Sequence, residues 1–229
     1  MTVYLPGDKI EQPSSSNVSI VGYGINVNDE KLVANQPGAL RTADNKIWLN
    51  VHSKRYIPNE GDRVIGIVVS KIGDFFRLDI GTAELAVINF TNFEGATKRN
   101  RPNLKTGDII YAQVFDTTPR TEAELTCVDD EKKARGMGQL NNGFMFKVSL
   151  NYARRILHPS CQILKTMGKF FKFEITVGLN GRIWINADTN DEIIRIYNII
   201  IQAEHVTGDE LIELVKDLYS KSSVAKMEE

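Results

Sequence analysis

Between Val64 and Val128 the chain carries five short strand-like runs, and no other stretch constrains the fold as much. The runs are roughly Val64–Lys71, Phe75–Ile80, Leu85–Phe90, Ile109–Asp116 and Ala123–Val128. In the second, Phe76, Leu78 and Ile80 fall on one face while Phe75, Arg77 and Asp79 fall on the other. In the fourth, Ile110, Ala112 and Val114 alternate with Tyr111, Gln113 and Phe115. Gly73-Asp74 and Gly81-Thr82 are hairpin-type breaks. Five short strands in about 65 residues, with a long connection between the third and fourth, predict a small five-stranded Greek-key barrel of the OB type.

That long connection carries the clearest chemistry in the chain. From Ala96 to Lys105 there are four basic residues and no acidic one, centred on Thr97-Lys98-Arg99-Asn100-Arg101-Pro102. Long cationic side chains on an exposed loop suit the neutralising of phosphates. A solvated surface loop is the plain alternative. OB barrels bind oligonucleotides on one face and through adjoining loops, with aromatic rings as stacking platforms. Lys98, Arg99 and Arg101 are therefore the leading candidates for contact with a nucleic acid. Lys71, Phe75 and Arg77 are weaker ones, and Phe75 packed against a neighbouring domain is an equal reading.

The flanks divide the rest. Residues 1–57 are short strand-like pieces, among them Val18–Val21, Lys31–Ala34 and Lys46–Val51, broken by turn signals such as Pro6-Gly7-Asp8, Ser14-Ser15-Ser16-Asn17 and Gln36-Pro37-Gly38. They predict a β-rich unit whose role is packing. The barrel is assigned to residues 58–131, a further module to 132–220 and a polar tail to 221–229. In that module Phe144–Leu150 reads as a strand, Asn151 as the cap of a short helix through Leu157, and Cys161–Met167 as a second helix. Lys169–Val177 and Arg182–Ala187 read as strands around the turn Gly178-Leu179-Asn180-Gly181. Thr189 or Asn190 starts a longer helix, and Thr207–Tyr219 reads as another. This is the order of a KH-type RNA-binding module. The expected architecture is mainly β plus α+β.

KH domains clamp the RNA backbone with a GXXG loop between their first two helices. Here that junction is Leu157-His158-Pro159-Ser160, without glycine. The glycine tetrad Gly178–Gly181 joins two strands instead, which favours hairpin geometry over an RNA clamp. Trp184, between Ile183 and Ile185, reads as a domain-packing anchor rather than a stacking platform.

Charge is uneven along a chain of net charge −1. Lys132 to Phe173 carry nine basic residues and no acidic one, while residues 174–229 carry five basic and eleven acidic. The basic run could face RNA or serve docking, and docking is favoured. Cys127 and Cys161 are too few and too far apart for a knuckle or disulfide framework, and His52, His158 and His205 have no ligand spacing. Asp129-Asp130-Glu131 cannot converge on a metal from one strand or helix, so it reads as a solvated linker. No metal or other cofactor is expected. The first residues lack the n- and h-regions of a secretory signal, and no run nears the ~18 apolar residues of a membrane helix. An intracellular, reducing compartment without membrane contact is expected, and the sequons at Asn17 and Asn89 read as chance matches.

A β-unit, an OB barrel and a KH module in this order resemble the cap subunits of the eukaryotic RNA exosome, more narrowly the smaller cap protein that joins an S1-type OB barrel to a KH domain. The stretches that carry the resemblance are Pro6-Gly7-Asp8, Ser53-Lys54-Arg55-Tyr56-Ile57-Pro58, Gly61-Asp62-Arg63-Val64-Ile65-Gly66 and Glu94–Pro102. Gly107-Asp108-Ile109-Ile110-Tyr111 and Gly178-Leu179-Asn180-Gly181-Arg182-Ile183-Trp184 add to them. The resemblance covers nearly the whole chain, thinning in residues 9–52 and after residue 205. It implies a non-catalytic subunit on a ring of RNase PH-like proteins, with other cap subunits and catalytic ribonucleases as partners. Single-stranded RNA 3′ ends would be guided into a central channel with little sequence preference. Ribosomal RNA processing and RNA degradation, in nucleus, nucleolus and cytoplasm, are implied with it. The resemblance also makes the glycine–X–Asn–glycine tetrad an inter-domain structural element. RNA-binding S1 domains often carry a histidine near the end of the third strand. Val87-Ile88-Asn89-Phe90-Thr91 has none, which moves the expected contact to the basic loop.

Two rival functions are weighed against this. A phosphorolytic nuclease with OB and KH modules also needs a catalytic domain, and no residues are left over to build one. A free-standing OB/KH factor, for example in translation, is the alternative that the residues leave open.

Overall fold

The computed structural model describes residues 2–11, 20–28, 31–43, 45–117 and 122–206, with Glu210, Glu213, Val215 and Lys216 beyond them. It forms two compact units, Met1–Lys54 and Arg55–Glu229.

The first unit is built from β1 (Val3–Tyr4), β2 (Lys9–Ile10), β3 (Ile20–Val21), β4 (Ile25–Asn28), β5 (Lys31–Ala34), β6 (Gly38–Ala43) and β7 (Lys46–Val51). They make two small sheets, ordered β1-β6-β7-β3 and β2-β5-β4. Period-two alternation on β7 sends Ile47, Leu49 and Val51 inward, where Ile10, Ile25, Leu32 and Ala34 meet them. The expected turn at Ser14–Asn17 lies outside the described residues.

The second unit opens with the barrel: β8 (Arg63–Ile72), β9 (Phe75–Asp79), β10 (Ala86–Asn89), a 3-10 turn (Phe90–Asn92), β11 (Ile109–Asp116) and β12 (Glu124–Thr126). Neighbours run β12-β10-β9-β8-β11, and β12 pairs again with β11, so five strands close on themselves. The β10–β12 pair is parallel and all the others are antiparallel. The expected five-stranded OB barrel is therefore present. Its inside is filled by the alternating set read from the sequence: Phe76, Leu78 and Ile80 with Ile88, Ile110, Ala112, Val114 and Leu125. A register shift between Val68 and Ser70 marks a bulge on β8, a device that bends a long strand around a narrow barrel. A further strand, β13 (Gly138–Leu140), pairs with the far edge of β11, and Met137 joins the barrel core. The segment is short and glycine-rich and carries no strand signal of its own in the sequence. Only an open edge on β11 makes it a strand.

The KH-type module follows: β14 (Phe144–Lys147), α1 (Leu150–Leu157), α2 (Ile163–Met167), β15 (Phe173–Val177), β16 (Arg182–Ala187) and α3 (Asn190–Gln202). The sheet order is β14-β16-β15, antiparallel throughout. This is the expected order of elements, with shorter strands and one different cap. Ser149, not Asn151, caps α1: its backbone is extended and its hydroxyl oxygen accepts from the Tyr152 N–H at 3.2 Å. Thr189 caps α3 in the same way, with Asp191 and Glu192 placed favourably in its first turn. Ile183 and Ile185 of the central strand pack beneath Tyr152, Ile156, Ile196 and Ile200 of the helices. The expected helix over Thr207–Tyr219 lies largely outside the described residues, although Val215 is buried in this core.

Candidate nucleic-acid interface

The connection from β10 to β11 has a built tip. Asn89 closes the end of β10 by accepting, through its side-chain oxygen, from the Thr91 N–H at 3.0 Å. Beyond the 3-10 turn, the Thr97 N–H donates to the Asn100 carbonyl at 2.9 Å. The Asn100 N–H returns to the Thr97 hydroxyl at 3.0 Å, and the Asn100 amide donates to the Gly95 carbonyl at 3.3 Å. Thr97 to Asn100 is thus a closed four-residue turn with Lys98 and Arg99 at its two central positions. Both are exposed and have no ion-pair partner among the described residues.

Arg101 is also exposed but engaged. Its Nη1 donates to Asp74 Oδ1 at 2.9 Å, its Nε reaches the Lys98 carbonyl at a long 3.4 Å, and its guanidinium lies 4.4 Å from the centre of the Phe90 ring. Asp74 belongs to the β8–β9 turn, and its carbonyl accepts from the Phe90 N–H at 3.1 Å. The loop, the 3-10 turn and the hairpin therefore meet at one place.

Of the weaker candidates, Phe75 and Arg77 lie on the outer face of that hairpin, while Lys71 stands opposite Phe76 on the other face. Phe75 is 45% exposed and stands opposite the exposed Ile72. Lys71 holds its ammonium 5.4 Å from the centre of the Phe76 ring. Arg77 is half-buried and committed to Glu122 in an ion pair. The structure groups Phe75 with the latch of the basic loop through its neighbour Asp74, and it occupies Arg77 elsewhere.

The glycine tetrad has another environment. Gly178 to Gly181 is a tight turn, closed by the Gly181 N–H on the Gly178 carbonyl at 3.0 Å, and it is pressed against the barrel. The buried Asn180 accepts from the Ile65 N–H at 3.2 Å and donates to the Ile65 and Ile80 carbonyls, both at 2.8 Å. The Leu179 N–H donates to the Arg63 carbonyl at 2.8 Å. A Cβ on Gly178 would lie 2.4 Å from Asn180 Oδ1 and 2.8 Å from the Ile65 nitrogen, so only glycine fits. Trp184 is 5% exposed and lies over Gly143, where a Cβ would fall 2.3 Å from the indole. A ring so covered is no platform for a base.

Sequence reasoning passed over Arg182. It is 1% exposed and donates to the Ile65 carbonyl at 3.3 Å, to the Asp79 carbonyl, and to Asp79 Oδ2 at 2.8 Å. Burial opposes ionisation of Asp79, but the Gly81 N–H and then the Arg182 guanidinium outweigh it and hold the carboxyl below the usual carboxylate range. The position of Arg182 directly after the tetrad was the one available signal.

Part of the basic run is engaged within the chain. Lys133 and Arg135 pair with Glu131, and Arg135 also pairs with Asp129. Arg155 donates to the Ala203 and Glu204 carbonyls at 2.9 and 2.7 Å, satisfying the end of α3 while stacking on Tyr152. The triple acid Asp129–Glu131 closes a turn through Asp129 Oδ1, which accepts from the Glu131 and Lys133 N–H groups. Among the described residues no cluster of histidine, cysteine or carboxylate could hold a metal ion, and no helix is long and apolar enough to cross a membrane.

A closed S1-type barrel bonded to a KH module defines the class: this is an S1/KH protein. Residues 56–138 match the family model described as "Exosome complex component RRP40, S1 domain", and residues 143–191 match the KH domain. The chain is 38% identical over 220 residues to the exosome complex component RRP40 of Homo sapiens, covering 90% of this chain and 80% of that protein. The RRP40 of Drosophila melanogaster is 39% identical, with 89% of each chain covered. That of Schizosaccharomyces pombe is 34% identical, with 96% of each covered. The chain belongs to the RRP40 family of exosome complex components. A crystal structure named for an exosome complex RNA-binding protein shares the fold, with a TM-score of 0.61 at 24% identity, covering 75% of this chain and 99% of that one.

Proposed function

We propose that this chain is a non-catalytic, RNA-binding cap subunit of an exosome. It guides single-stranded RNA 3′ ends toward a central channel and bridges RNase PH-like ring subunits. The observation that carries this reading is the closed Thr97–Asn100 turn, which holds Lys98 and Arg99 outward on an S1 barrel of the RRP40 family. Two adjacent cations at a turn tip attract a phosphate backbone without reading bases, so the contact is sequence-tolerant and falls steeply with salt. The exposed Phe75 offers a ring for stacking on the neighbouring hairpin. The Gly178–Gly181 turn, with its bonds to the barrel, holds the S1 and KH modules in one orientation.

The test is a reconstituted ring with the chain carrying Lys98→Glu, Arg99→Glu and Arg101→Glu together. The ring assembles, and the length of RNA it protects from an added nuclease is reduced. Full protection by the variant complex overturns the reading. The purified chain, incubated with RNA and either inorganic phosphate or a divalent metal, leaves the RNA intact; robust turnover overturns the non-catalytic assignment.

A further inference from the structure

The three cations of the loop are not equivalent. Lys98 and Arg99 occupy the centre of the tip turn with no ion-pair partner among the described residues. Arg101 follows the turn and reaches in three directions: to Asp74 on the β8–β9 turn, to the Lys98 carbonyl within the tip, and over the Phe90 ring, 4.4 Å from its centre. Phe90 is itself only 4% exposed, so the guanidinium rests on a ring that belongs to the barrel core. We infer that Arg101 is a positioning residue, which clamps the Thr97–Asn100 turn to the barrel so that Lys98 and Arg99 meet RNA phosphates from a fixed place.

The chemistry of the clamp selects arginine. An ammonium could reach Asp74, but it has no plane to lie on Phe90 and no second donor fixed toward the Lys98 carbonyl. The Asp74 pair alone is a surface pair, with side chains 44% and 56% exposed, and such pairs contribute little by themselves. The stack on a core ring adds what the exposed pair lacks. Pre-ordering the tip removes part of the ordering cost that a loose loop would face on binding.

This inference rests on the RNA-contact reading, and the experiment separates the two. The full-length chain is titrated with a fluorescent oligouridylate of ~12 nucleotides, a length within the range of OB-fold sites, across a series of salt concentrations. Lys98→Gln and Arg99→Gln each lower the slope of log affinity against log salt by about 0.7, the value for one single-strand phosphate contact. Arg101→Lys weakens binding about fivefold while leaving that slope at the parental value. Amide hydrogen exchange at residues 96–100 of the free chain speeds up in Arg101→Lys and in Asp74→Asn. Asp74→Asn binds no tighter than Glu94→Gln, which removes a charge from the same loop outside the clamp.

Parental affinity in Arg101→Lys overturns the inference, because a point charge would then suffice. So does a slope lowered by Arg101→Gln as Lys98→Gln lowers it, exchange unchanged by both clamp variants, or Asp74→Asn binding tighter than its control. If Lys98→Gln and Arg99→Gln change neither affinity nor slope, the RNA-contact reading itself falls, and the inference with it.

Discussion

Two turns of this chain combine an asparagine with a nearby arginine, and their fates are opposite. The Thr97–Asn100 turn projects Lys98 and Arg99 into solvent. The Gly178–Gly181 turn is followed by Arg182, which is almost wholly enclosed between the KH hairpin and the barrel. The number of backbone carbonyls within reach of the arginine separates them. Arg182 has the Ile65 and Asp79 carbonyls and the Asp79 carboxylate around it, enough acceptors for a guanidinium to leave water. The tip of the basic loop provides no such cage. Its cations stay hydrated and remain available to a partner that brings its own negative charge.

The comparison can be broken from either side. The largest effect is expected at the enclosed turn. Arg182→Met leaves the Asp79 carbonyl and Oδ2 without the guanidinium, though the Ile65 carbonyl keeps its Asn180 donor, and lowers stability by about 3 kcal/mol, measured by denaturant unfolding. A loss no greater than that of a surface substitution would mean that the enclosed arginine is not holding the modules together. Gly178→Ala comes next: its new methyl meets Asn180 Oδ1 at 2.4 Å and the Ile65 nitrogen at 2.8 Å. Displacing those groups costs about 2 kcal/mol, read in the same unfolding assay.

At the open turn the balance is reversed. Lys98→Glu with Arg99→Glu weakens binding of single-stranded RNA at least tenfold, about 1.4 kcal/mol, while stability stays within about 0.5 kcal/mol of the parent. Anisotropy titration and unfolding together check both halves. The smallest effect is acid sensitivity at the enclosed turn. The folded-state carboxyl of Asp79 is held below its ordinary value. Its contribution is therefore present above the unfolded pKa of about 3.9 and is lost as pH falls through the folded value. Because the Asp79 side chain is 42% exposed, solvent screening limits this to about 1 kcal/mol or less. Asp79→Asn should flatten the stability profile below about pH 4 by that amount.

Much of the fold could be read from local pattern. Alternation of Phe76, Leu78 and Ile80 with Phe75, Arg77 and Asp79 is a property of consecutive residues, and the strand that it predicts is present with the same inward face. Caps were legible to within two residues: Thr189 is one of the two positions expected, and Ser149 stands where Asn151 was expected. The strand Gly138–Leu140 was not legible, because its pairing depends on an edge of β11 about 30 residues earlier in the chain. The candidate cations were visible as a charge cluster, but their unequal engagement was not. Arg101 is set apart from Arg99 by Asp74, 27 positions away, and by a ring of the core.

The amino-acid sequence by itself determined the period of the strands, the order of the modules and the placing of an uncompensated basic loop between the third and fourth barrel strands. These follow from neighbours in the chain, through pleat geometry, turn chemistry and local charge. The tertiary structure alone decided which arginine is buried, which is clamped and which are left to solvent. Arg182 meets Asp79 across 103 positions, and Asn180 meets Ile65 across 115. Desolvation of a charge is set by everything that closes around it, and that enclosure exists only once the barrel and the KH hairpin have come together.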